Sequence, residues 1–244
     1  MKRSKARISV IYAFNYVKLT VRSILFLLVA VAYVFDKTSV LKSFRVLPLT
    51  VWCIFILEML CRFFPSRIES MGCQKQFKRN YVEVSPTAVP ENQSRRVTAF
   101  TVGVWLLLNA VIGVLRLTGV IDNGILIIIS LAFSVCDVIC ILFFCPFQTW
   151  IMKNRCCTTC RIYNWDFAMM FTPLVFIPRL YTYSLLGCAL LLLVRWEVTY
   201  RLHPERFSTR TNACLNCQSC EEKLCHHKTQ LRGFIKKYKD RFFK

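Results

Sequence analysis

Apolar stretches long enough to cross a lipid bilayer recur along this chain, and they leave it few folds to adopt. A spanning helix needs about 17–25 predominantly apolar residues. Stretches at about 14–35, 46–64, 97–117 and 121–144 approach or meet that length, and a fifth runs from Trp165 to Trp196. No strand-like alternation recurs, so helices are the way such a chain satisfies its backbone in lipid. The expected fold is all-α: a polytopic membrane helical bundle in contact with the lipid bilayer. Thr118-Gly119 reads as a tight turn that makes the third and fourth stretches a helical hairpin.

The fifth stretch decides the topology. It is too long for one ordinary span, and Pro173 and Pro178 interrupt it. As one tilted helix it gives five spans. As two short helices, about 165–177 and 180–196, turning at Ile177-Pro178-Arg179, it gives six. Charge favours six. Lys2, Arg3, Lys5 and Arg7, the basic residues of the 65–96 and 145–164 loops, and the basic tail then all lie in the cytoplasm. The opposite face keeps Lys37, Lys42, Arg45 and Arg179, with Arg116 close by. Residues 1–196 are then a transmembrane bundle in a cell (inner) membrane and 197–244 a cytoplasmic tail, with both termini in the cytoplasm. The first span reads as an uncleaved anchor. Trp165 and Trp196 are expected at the inner interface, and Tyr181 and Tyr183 at the outer one.

The same charge pattern weighs against nucleic acid as a partner. The formal net charge is +20, but in a membrane protein such an excess is mostly topological. The end of the chain, Leu231 to Lys244, sets Leu231, Phe234, Ile235, Tyr238 and Phe242 near one helical face among lysines and arginines. That pattern fits a helix lying on anionic lipid, and equally an ordinary basic surface helix or tail.

The cysteines carry the chemistry. Cys157 and Cys160 form one Cys-x-x-Cys pair. Cys214, Cys217, Cys220 and Cys225 form a second cluster in the tail. Two residues between thiolates let one turn aim both sulfurs at one ion. The cytoplasm keeps thiols reduced, which disfavours disulfides. A hairpin leaving after Cys160 and returning at Trp196 brings both clusters to one mouth. Structural or sensory zinc is the first reading, with Cys157, Cys160, Cys217 and Cys220 as the first quartet. Cys214, Cys225, Cys156, His226 and His227 are further ligand candidates. An iron–sulfur cluster is the alternative, because Cys214-x-x-Cys217-x-x-Cys220 has the spacing of a ferredoxin run. A redox dithiol is the third. Cys53, Cys61, Cys136, Cys140 and Cys188 lie inside spans and read as small apolar residues.

The run Cys-Cys-Thr-Thr-Cys-Arg-Ile-Tyr-Asn-Trp-Asp (156–166), His-Pro-Glu-Arg-Phe (203–207) and the Cys-rich tail together resemble small bacterial multi-pass membrane proteins. The resemblance is confined to the C-terminal part of the chain and implies no activity.

Charges inside spans are costly and mark either pairs or pathways. Glu58 and Asp137 fall about 9–11 Å from the inner ends of their helices at 1.5 Å per residue, and Arg22 and Lys18 lie at comparable depth. Pairing predicts Glu58 with Arg62 on its own helix and Asp137 with Arg22 between helices, with Lys18 snorkelling outward. A pathway predicts an ion or proton transporter using Asp137 and Glu58. No span carries a histidine, and no His-Glu-x-x-His, Gly-x-Ser-x-Gly, Walker or dinucleotide pattern occurs. The chain therefore reads as a non-enzymatic membrane component serving transport, regulation or assembly. An iron–sulfur electron carrier and the transporter are the alternatives.

Overall fold

The computed structural model describes residues 10–35, 46–65, 71–91, 94–153 and 159–216. Its regular elements are all helical: α1 (Val10–Phe35), α2 (Val46–Phe63), α3 (Met71–Gln76), α4 (Arg95–Leu117), α5 (Asn123–Leu142), α6 (Asp166–Phe171) and α7 (Leu180–Leu202). The β pairing among the described residues is one isolated bridge, Glu83 with Asn212. Among the described residues, three helices are long and apolar enough to cross a membrane: Ala13–Phe35 within α1, then α4 and α5. They point to a membrane protein.

Local chemistry explains where these helices stop. Between α4 and α5 the chain turns at Gly119, whose φ of 77° suits a residue without a Cβ. Asp122 then caps α5 by accepting a hydrogen bond from the Ile125 amide at 2.9 Å. That cap starts α5 at Asn123 rather than the expected 121, and the helix ends at Leu142, before Pro146, rather than at 144. The loop expected over 65–96 contains α3 and a 3-10 turn, Lys78–Asn80.

The fifth apolar stretch folds as a broken strut. A 3-10 turn at Tyr163–Trp165 leads into α6, and a second at Thr172–Phe176 carries Pro173 in its first turn. Ile177 and Arg179 are extended, and the chain reverses there into α7. Pro178 supplies the break, because it lacks an amide hydrogen and disfavours helix in the residue before it. α7 continues to Leu202, past the expected end at Trp196. The extra turns are held from outside the helix: Arg161 and Trp165 both bind Glu197, and the Tyr200 ring meets Phe207 edge-on.

The broken strut is the centre of the molecule. Phe167, Met170, Phe171, Leu174 and Ile177 are buried, packed with Phe55 and Met59 of α2, Ile112 of α4, Leu126 of α5 and Leu185, Ala189, Leu192 and Trp196 of α7. α1 lies along α5, α2 along α7, and the 172–176 turn contacts α4, α5 and α7. Lipid is as apolar as leucine, so close fit rather than escape from water holds such helices together. Gly113 supplies one such fit: a Cβ there would stand 2.6 Å from the Phe176 ring. Gly124 supplies another against the Tyr33 ring. Trp196, expected at the interface, is only 3% exposed and belongs to this core. Tyr181 and Tyr183 are exposed, as a belt position requires. The outer faces of the bundle carry the remaining apolar residues, including Leu27, Leu28, Val31 and Val34 of α1 and Leu106, Leu107 and Val111 of α4.

Candidate functional site

Two polar assemblies stand out at the end of the bundle where α4 begins and α5 finishes. The first is a buried charge network. Arg22 of α1 is inserted between α2 and α5. Its Nη2 donates to Glu58 Oε2 at 2.5 Å, and its Nη1 donates to Asp137 Oδ2 at 3.2 Å and to the Ser134 carbonyl at 2.9 Å. Its guanidinium lies 5.2 Å from the centre of the Phe55 ring. Lys18, one turn away on the same face of α1, reaches Glu58 at 3.5 Å. Arg62 pairs with Asp166 at the start of α6, at 2.5 Å, and covers the Phe167 ring.

These six side chains comprise three cations and three carboxylates. At full ionisation their charges cancel, which low-dielectric burial demands. The Arg22–Asp137 pair forms between helices as the sequence predicts. The Glu58–Arg62 pair does not: Glu58 turns to α1, and Arg62 turns to Asp166. Spacing of i,i+4 permits a pair on one helix, but Asp166 presents a carboxylate to Arg62 from α6, the helix that also carries its ring partner Phe167. Lys18 stays inside, with a side chain 9% exposed, because Glu58 gives it a counter-ion at depth.

The second assembly is a junction on α3. Asn164 donates from Nδ2 to Gln76 Oε1 at 2.8 Å. Asn212 donates from Nδ2 to the Lys75 carbonyl at 3.0 Å and to the Arg206 carbonyl at 2.9 Å. Consecutive residues of α3 thus hold the chain just after Cys160 and just before Cys214. The amides of Ala213 and Val84 close the bridge by donating to Val82 and Thr211. Tyr81 lies in this segment; partial burial, with the charges of Glu83 and Glu205, pushes its hydroxyl above the ordinary range, against Arg206. Glu197 completes the junction. It accepts from Arg161 through both oxygens and from Trp165 Nε1 at 2.7 Å, while Arg161 also covers the Tyr200 ring at 3.7 Å. The loop after α5 and the end of α7 are clasped at one level.

Of the expected metal ligands, Cys160 is buried and Cys214 half-buried. Cys156, Cys157, Cys217, Cys220, Cys225, His226 and His227 lie outside the described residues, as does the basic stretch 231–244. Among the described residues no group of three or more His, Cys, Asp or Glu side chains is arranged to hold a metal ion. Cys53, Cys61 and Cys136 face outward from the helices, where a thiol serves as a small apolar group.

Sequence reasoning missed Asp166, Glu197, Gln76 and Asn212 as organisers. Asp166 and Glu197 offered a signal, since each is an acid beside a tryptophan at the edge of an apolar run. Gln76 and Asn212 offered none, because their hydrogen bonds reach residues far along the chain. Compared with protein-family models, with curated proteins and with solved structures, the chain matches none.

Proposed function

We propose that this chain is a six-span inner-membrane protein whose cytoplasmic loop and tail share a cysteine-ligated zinc ion, and that it works as a non-enzymatic accessory in transport, regulation or assembly. One observation carries the reading: Asn164 and Asn212 bind adjacent positions of α3. Cys160 precedes the first by four residues and Cys214 follows the second by two. One cysteine of each cluster, Cys160 and Cys214, therefore lies close in sequence to a residue held by α3. Cys157 and Cys160 from the loop, with Cys217 and Cys220 from the tail, would supply four thiolates, the donor set of a closed structural zinc site. Cys214 and Cys225 are the alternative tail ligands.

The six-span reading draws support from the same end of the molecule. Trp165 and Glu197 meet there, while Phe176 packs on Gly113 near the far end of α4. The broken strut therefore runs the depth of the bundle and α7 returns. Basic residues follow the same division. Lys75, Lys78, Arg79, Arg95, Arg96, Lys153, Arg201, Arg206 and Arg210 gather at the α3 end, with Arg116 and Arg179 at the other. A transport path through Asp137 and Glu58 is the weaker reading, because each carboxylate is already engaged by Arg22.

Metal analysis of the full-length protein purified without oxygen tests the proposal. A colourless sample holding about one zinc per chain, lost on replacing Cys160 and Cys217 by serine, is the expected result. A brown sample holding iron and sulfide would replace zinc with the iron–sulfur alternative. A metal-free sample with unchanged stability would remove the metal site altogether.

A further inference from the structure

We propose that Arg95, Arg96 and Lys153, with Trp150 on the turn that leads to Lys153, bind the phosphate-bearing headgroup of an anionic phospholipid in the leaflet that surrounds this end of the bundle. The inference rests on the membrane reading above and adds a ligand to it.

Two segments build the patch. Arg95 and Arg96 open α4, and both are exposed. The single π turn Phe147–Ile151 packs against α4, and Thr101 Oγ1 lies 3.8 Å from Met152 Sδ. Lys153, next in the chain and also exposed, has a φ of 51°. Thr101 is about 8 Å along the helix axis from Arg95 and Arg96 at 1.5 Å per residue. The three cationic residues therefore belong to the same end of the bundle. No ion pair joins any of them to a carboxylate among the described residues. Glu91, the acid nearest to Arg95 in the sequence, is taken by Arg210 at 3.0 Å.

The patch is uncomfortable without an anion. Cations in the first turn of a helix oppose its dipole, which favours negative charge there. That turn holds no acidic residue, and the Ser94 side chain makes no capping bond. A phosphate would offset both deficits while pairing with two guanidinium groups, whose planar forks suit it.

Depth and aromatics select a lipid over a soluble phosphate. The 23 residues of α4 extend about 34 Å, slightly more than a hydrocarbon core of about 30 Å. With Leu117 at the opposite boundary, Arg95 and Arg96 sit at headgroup level. Trp150 is 69% exposed and stands edge-on to Phe144 at 5.4 Å, a ring with an apolar body and a polar N–H as interfacial belts use. Phe100, 61% exposed one turn deeper on α4, offers acyl-chain contact.

The test uses the full-length chain in detergent. Phosphatidylglycerol and phosphatidylcholine are added in turn, and bound lipid is counted by native mass spectrometry alongside the thermal midpoint. Phosphatidylglycerol is expected to bind and raise the midpoint, with at least tenfold weaker binding in the R95Q/R96Q/K153Q variant. K78Q/R79Q, which removes charge elsewhere on the same end, should leave binding intact. If the triple variant does not fold, R96Q alone is expected to weaken binding severalfold. Undiminished binding in the triple variant, or in R96Q should the triple not fold, overturns the site. Equal loss in K78Q/R79Q also overturns it, and so does an equal midpoint rise with glycerol phosphate. The membrane reading fails separately. If alkaline carbonate strips the chain from membranes, that reading is lost. If the chain resists extraction yet binds no phosphatidylglycerol, only the lipid site is lost.

Discussion

α1 and the broken strut from Tyr163 to Ile177 are opposites. α1 is one unbroken helix of 26 residues, and its apolar side chains mostly face outward. The strut is short, kinked and pieced together from α and 3-10 turns, yet its apolar residues are the core. In water the more apolar element is usually the more buried one. Here the relation inverts, because lipid accepts an apolar helix surface without penalty and burial is decided by fit. α1 enters the interior through a narrow stripe, and most of that stripe is polar: Asn15, Lys18 and Arg22, followed by Val29.

Substitutions can break this contrast, beginning with the stripe. Arg22→Ala leaves the Glu58 carboxylate with Lys18 alone and Asp137 with no cation in direct contact. It should cost about 3–5 kcal/mol, read as a lowered thermal midpoint in detergent, with Arg22→Lys recovering part of the loss. Phe171→Ala empties the strut where it meets Phe55 edge-on at 5.1 Å. Its cost should be about 3 kcal/mol, the low end for such a truncation, because lipid rather than water receives the separated helices. Gly113→Ala drives a methyl into the Phe176 ring and should cost about 1–3 kcal/mol; Gly187→Ala on α7, with nothing within 4 Å, is the matched control. Leu28→Ala on the outer face of α1 should shift stability by no more than about 0.5 kcal/mol. A cost for Leu28→Ala equal to that for Phe171→Ala would erase the distinction between the two regions.

The parts of this architecture that could be read in advance are those written locally. Gly119 announces its turn and Pro178 its reversal, each through the chemistry of one residue, whereas the Asp122 cap that sets the start of α5 was not read. The Arg22–Asp137 pair was readable because both charges lie at matching depth in long apolar runs. The partner of Arg62 was not, since two acids satisfy it equally on paper and only the rotation of α2 against α6 chooses between them. Trp196 was misplaced for a related reason: charge counting sets the level of a tryptophan in the bilayer but not the side of the helix it occupies. The α3 junction was invisible, because it consists of neutral amides meeting across long intervals of sequence. The cysteine site remains a reading of spacing, supported by where its two ends are tethered.

The buried charge network also orders events during synthesis. Lys18 and Arg22 enter the membrane first, when neither Glu58 nor Asp137 exists on the growing chain. Each costs about 2.5–3.5 kcal/mol at the centre of an inserting helix and less toward its end. The second helix delivers one counter-ion and brings Arg62 with it. Asp137 and finally Asp166 cancel the remainder. A chain interrupted before α6 therefore keeps one uncancelled positive charge among these helices.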